Sequence, residues 1–200
     1  MPISPALVKE LRDKTGCGMM DCKKALEESK GDITGAIDVL RKKGLADLAK
    51  RAGRAAKEGV IEAYIHGGGK IGVLVEINCE TDFVARNEDF RQFAHDVAMQ
   101  IAAASPMFVS RDDVPADLIE AEKDIYRAQA LQEGKAENVL DKIVDGRLEK
   151  FFHTVCLLEQ SFIKDQEKTI QDHMGTLVGK IGENISVRRF ARYKVGEELG

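Results

Sequence analysis

At 200 residues, with 44% hydrophobic and 32% charged positions, the chain is long enough for one substantial core plus a small module. A net charge of −4 argues against a general nucleic-acid binder, and no apolar run approaches the roughly 20 residues that span a bilayer. Lys9, Glu10, Arg12 and Asp13 interrupt the opening helix, so it does not read as a secretory leader; a cytoplasmic protein with no membrane and no direct nucleic-acid partner is expected.

Ser4-Pro5 starts a helix, with Ser as N-cap and Pro in the first turn. Leu7, Val8 and Leu11 give it one apolar face, and Gly16 and Gly18 end it. A second helix is expected from Met20 to Ser29, closed by Gly31. Asp32 caps a third, in which Ile33, Ala36, Ile37 and Leu40 recur at helical spacing before Gly44 stops it. These three helices resemble a ubiquitin-associated-type bundle over residues 1–44. Residues 45–57 read as a basic helical linker: residues 42–57 carry six basic groups against Asp47 alone. Between residues 112 and 124 the balance reverses, with six acidic groups against Lys123. Both runs fit solvated helix faces.

The texture changes at Gly59, and residues 58–200 read as an α+β core. Val60–Ile65 and Ile71–Ile77 are β-rich and joined by a Gly-bearing loop, which predicts a hairpin. Asn87 caps a helix whose Phe90, Phe93, Ala94, Val97, Ala98 and Ile101 form a stripe; Ser105-Pro106 ends it. Further helices are expected over Pro115–Gln132, Ala136–Val155 and Ile170–Lys180, then a last strand over Ile185–Val195. In that strand Ile185 and Val187 alternate with polar residues until the pattern drifts, and Phe190 and Tyr193 are expected to lie partly uncovered. One antiparallel sheet with helices on a single face follows.

Little here supports catalysis or cofactor binding. Gly69-Lys70 lacks the upstream Gly of a phosphate loop, and Gly175–Lys180 is one residue short of one; neither is followed by Ser or Thr. His66, His95, His153 and His173 fall in four different elements. Cys17, Cys22, Cys79 and Cys156 form no metal-binding pair, so reduced thiols, no metal and no cofactor are expected.

The candidate functional residues sit at connections. Thr81-Asp82-Phe83-Val84 lies between a strand and a helix, where a rigid scaffold presents side chains outward. Phe83 has two readings: a buried core residue, or a projecting aromatic anchor of the kind that dominates interfaces. Met19 and Met20 follow Gly18 at a helix turn beside Lys23. Adjacent residues on a short helix do not point the same way, so both cannot be core with equal ease.

Three segments carry a family resemblance. Glu76-Ile-Asn-Cys-Glu-Thr-Asp-Phe-Val-Ala-Arg86 resembles the internal signature of the elongation factor Ts family. Leu11-Arg-Asp-Lys-Thr-Gly-Cys-Gly-Met-Met-Asp-Cys-Lys-Lys-Ala-Leu26 resembles its amino-terminal signature, and Lys180–Arg189 is similar to a third segment, in the expected order. The resemblance implies guanine-nucleotide exchange on elongation factor Tu, with no active site of the chain's own. It implies that Thr81, Asp82, Phe83 and Val84 enter the partner and dislodge Mg²⁺, that Met19, Met20 and Lys23 touch its GTPase domain, and that His66 marks a further contact. Tyr64–Val75 resembles the second core unit of longer members, whereas Glu76–Arg86 resembles the first. With room for only one such unit, the chain looks like the short form, which homodimerises. Two other classes stay open: an interaction protein that tethers an α+β domain to a ribosome or protease adaptor, and a hydrolase.

Overall fold

The computed structural model describes residues 3–198. Helix α1 (Pro5–Thr15) starts where Ser4 Oγ accepts from the Leu7 N–H at 3.2 Å, and it ends at Gly16 in the left-handed conformation. Helix α2 covers Met19–Glu28. Helix α3 (Ile33–Arg51) is capped by Asp32, whose Oδ2 accepts from the Gly35 N–H at 2.7 Å. Val8, Leu11, Cys22, Ala25, Leu26, Ala36 and Leu40 close a small core of their own.

The expected helix end at Gly44 does not occur. Helix α3 runs through Gly44 to Arg51, and Gly44 is buried against another helix. A glycine inside a helix can mark a close crossing as readily as an end. The basic stretch is therefore helical only as far as Arg51, and residues 52–57 form turn and coil.

Strands β1 (Glu58–His66) and β2 (Ile71–Cys79) pair as the expected hairpin. A one-turn helix α4 (Asp82–Ala85) precedes α5 (Glu88–Ala104), capped by Asn87. Helices α6 (Ala116–Gln132) and α7 (Glu137–Val155) form an antiparallel hairpin laced by the ion pairs Arg147–Glu133 and Arg127–Asp141. A small hairpin of β3 (Ser161–Phe162) and β4 (Asp165–Thr169) follows, then α8 (Ile170–Ile181) and β5 (Ile185–Lys194). The main sheet has the order β1-β2-β5, antiparallel throughout. The result is the α+β fold that the pattern predicted.

Alternation splits the sheet into two unlike faces. Val73, Val75, Ile77, Ile185 and Val187 point into the main core and meet Phe90, Phe93, Val97 and Ile101 of α5 and Ile170, Met174 and Val178 of α8. Each such buried side chain contributes about 1.5–3 kcal/mol. The opposite face carries Ile61, Ile65, Leu74 and Tyr193, all exposed. The drift in β5 is a bulge opposite Glu76 and Ile77. It lets consecutive residues Arg188 and Arg189 both reach Glu76, at 2.9 and 2.7 Å. Phe190 is half-buried, packed against the main core on one side, and Tyr193 is exposed, so both are incompletely covered as expected.

Candidate partner-binding loop

The segment between β2 and α5 is built to project. Helix α4 is four residues long, too short to hold itself by propensity. It is fixed from outside by its own apolar side: Ala85 is buried and Val84 packs against the main core. With those two inward, Phe83 points out and is 80% exposed. The buried reading of Phe83 therefore fails. Asp82 flanks it and pairs with Arg86 at 2.8 Å, both side chains well exposed.

Thr81 caps this turn. Its Oγ1 accepts from the Val84 N–H at 3.4 Å and donates to Glu183 Oε1 at 2.7 Å. Glu183 Oε2 also accepts from the backbone N–H groups of Glu80 and Thr81, each at 3.1 Å. In return, Glu80 Oε1 accepts from the Asn184 N–H at 2.6 Å and from Arg54 Nη1 at 3.3 Å. That backbone donor, with Arg54, holds the Glu80 carboxyl below its usual range. Just before the loop, burial pushes the Cys79 thiol up to about 11, with Glu183 adding to the effect. The thiol donates to the Thr81 carbonyl at 3.2 Å.

The other sequence-predicted residues lie apart from this loop. Met19 and Met20, on α2, are 54% and 63% exposed, so neither is core. Lys23 is half exposed and its nearest acid is Glu27 at 3.9 Å, a pair worth about 0–1 kcal/mol. His66 is exposed at the hairpin end, where its Nδ1 lies 2.9 Å from the Tyr64 hydroxyl. It stands at the opposite end of β2 from Cys79, roughly 26 Å of strand away at the usual rise. Among the described residues, no hydrogen bond or ion pair joins the α2 set, His66 and the α4 turn to one another.

Sequence reasoning missed Glu183, although it lies within the third matched segment; its partners are more than a hundred residues away. One cluster among the described residues has metal-like spacing: Glu149, His153 and Glu159. Arg111 already grips both of its carboxylates, at 3.0 Å to Glu149 and 2.7 Å to Glu159. Among the described residues no helix is long and apolar enough to cross a membrane.

Comparison with known proteins bears directly on these segments. The sequence profile of the family described as Elongation factor TS matches residues 46–197. A protein named Elongation factor Ts from Desulforamulus reducens is 65% identical over 197 residues, covering 98% of this chain and 91% of that protein. One of the same name from Caldanaerobacter subterraneus subsp. tengcongensis is 62% identical, covering 98% of both chains. Another, from Geobacter sulfurreducens, is 59% identical over 199 residues, covering all of this chain and 92% of the relative.

Proposed function

The chain belongs to the elongation factor Ts family, and from that premise we propose that it promotes guanine-nucleotide exchange on elongation factor Tu by pressing Phe83 into the partner and disturbing its Mg²⁺ site. A P-loop GTPase holds GDP through phosphate and metal contacts. An exchange factor must bind best when the nucleotide is absent, so the two bindings are negatively coupled, and the coupling is reciprocal. A coupling of ~4 kcal/mol loosens the nucleotide about a thousandfold. The factor needs no nucleotide site of its own to do this.

The observation that carries the reading is the 80% exposure of an aromatic side chain on a turn pinned from both sides. A large apolar group held rigidly in water gives up little conformational freedom when a partner covers it. Asp82 anchors the same turn, while Thr81 and Val84 set its shape. Met19, Met20, Lys23 and His66 supply a second, wider set of contacts. The protein works in the cytoplasm. Release of fluorescent GDP from elongation factor Tu, with and without this chain, tests the proposal; an unchanged release rate refutes it.

The same reading includes a homodimer. Ile61, Ile65, Leu74 and Tyr193 leave an apolar field on the uncovered sheet face, bordered by the Glu76–Arg188–Arg189 cluster. The charges beside the β5 edge disfavour strand addition, which supports face-to-face pairing about a twofold axis.

A further inference from the structure

Resting on the reading of Phe83 as a partner contact, we infer that Glu183 is the positioning residue of this loop: its carboxylate sets the attitude of the Phe83 turn without touching the partner's nucleotide site. Past Cys79 the pairing of β1 with β2 has ended, since Cys79 is matched to Glu58, the first residue of β1. The N–H groups of Glu80 and Thr81 thus have no strand partner, and a half-buried donor left unpaired is costly.

Glu183 supplies both acceptors from across the fold. It lies in the three-residue link between α8 and β5, where Gly182 closes the helix at φ +85°. One carboxylate oxygen takes the two N–H groups and the other takes the Thr81 hydroxyl proton. Directing that proton toward Glu183 leaves the hydroxyl lone pairs for the Val84 N–H, the first turn of α4. Charge-assisted bonds of this kind are shorter and stronger than neutral ones. The pairing is mutual, because the Glu80 carboxylate takes the Asn184 N–H and Asn184 Nδ2 donates to the Arg54 carbonyl at 2.8 Å. Two turns distant in sequence therefore exchange a carboxylate for a backbone donor. Remove Glu183 and the cap of a four-residue helix loses its orientation, while Val84 and Ala85 still anchor its base.

The experiment compares Glu183→Ala, Glu183→Gln, Phe83→Ala and the Glu183→Ala/Phe83→Ala double variant in GDP release from elongation factor Tu, per folded molecule. Glu183→Ala is expected to lower exchange efficiency about tenfold. In the Phe83→Ala background the same change is expected to cost less than about twofold, because the group it positions is gone. Equal losses in both backgrounds would overturn the inference, as would a folded Glu183→Ala protein with full activity. Amide hydrogen exchange of Glu80 and Thr81 in the free Glu183→Gln protein supplies a readout that survives if the alanine variant does not fold. Faster exchange confined to those two amides and the Val84 amide capped through Thr81 supports the clasp, and unchanged protection at Glu80 and Thr81 overturns it. If Phe83→Ala is itself silent, the functional reading falls and the inference with it. If Phe83→Ala is damaging and Glu183→Ala silent, only the inference falls.

Discussion

Gly44 and Gly175 touch backbone to backbone where α3 crosses α8. A Cβ on either would sit 3.0 Å from the other's carbonyl carbon and 3.1 Å from its oxygen. Arg41 reinforces the crossing one turn away. Its Nε lies 2.7 Å and its Nη2 2.6 Å from the two oxygens of Asp172, whose side chain is almost wholly buried. The amino-terminal bundle therefore rides on the core along a continuous helix.

The crossing predicts opposite outcomes for one kind of substitution. Gly44→Ala must push two helices apart and should destabilise by about 1–3 kcal/mol, the usual cost of overpacking. Gly146 lies in the middle of α7 with nothing near its missing Cβ. There Gly146→Ala should stabilise by about 0.5–1 kcal/mol through helix propensity and a less mobile unfolded chain. Thermal or denaturant unfolding reads both, and two shifts of the same sign would contradict the packing argument.

Phe83→Ala should leave the melting temperature nearly unchanged, because an exposed side chain away from buried features contributes within about 0.5 kcal/mol. It should nonetheless cut exchange by a factor equivalent to about 2 kcal/mol or more, the loss typical of an aromatic anchor. Asp82→Ala should lower exchange in the same direction. Were Phe83→Ala instead to melt the protein and spare exchange per folded molecule, the turn would be structural.

Acid should act through Asp96. This buried carboxyl is desolvated, which alone would raise its pKa, but His173, Lys164 and Gln92 outweigh that and bring it from 3.8 down to about 2. Lys164 Nζ lies 2.7 Å away and His173 Nε2 3.4 Å away. The pKa is depressed on folding, so the stabilisation is complete above pH 3.8. Below that the unfolded chain takes up a proton that the folded chain refuses, and stability is lost as pH falls towards 2. The contribution is up to about 2 kcal/mol. Asp96→Asn should flatten the stability profile across that window in urea titrations, and an unaltered slope would count against it.

Sedimentation at micromolar concentration checks the dimer. Leu74→Glu places a charge in the centre of the uncovered sheet face without entering the core, and it should shift the protein towards its 22.1 kDa monomer. A wild-type monomer with full exchange activity would remove the need for pairing.

Local signals carried much of the fold. Ser4, Asp32 and Asn87 each cap the helix they were expected to start, because a side-chain oxygen and its backbone donor are only two or three residues apart. The β1–β2 hairpin and the α5 stripe were legible for the same reason: their periodicity is local. What escaped notice depends on distant chain. Gly44 reads as a stop until Gly175 is placed against it. The β3–β4 hairpin is short and its pairing irregular, so no alternation announces it. The one-turn α4 has no period to detect. Phe83, Val84 and Ala85 form an apolar triplet that cannot all be buried on a single turn, but which of them faces water is decided by the core beneath. Glu183 is invisible to any window shorter than the link it makes.

Helix α8 has a mechanical meaning beyond its share of the core. Asp172 and Gly175 in its first half take the grip of α3, and hence of the bundle that holds Met19 and Met20. Gly182 and Glu183, just past its last residue, hold the turn that bears Phe83. Twelve residues of helix, about 18 Å long, thus form a strut with one load at each end. Under the proposed function, in which both regions meet the partner, strain at one would pass to the other through covalent backbone and two short clasps, not through a flexible tether.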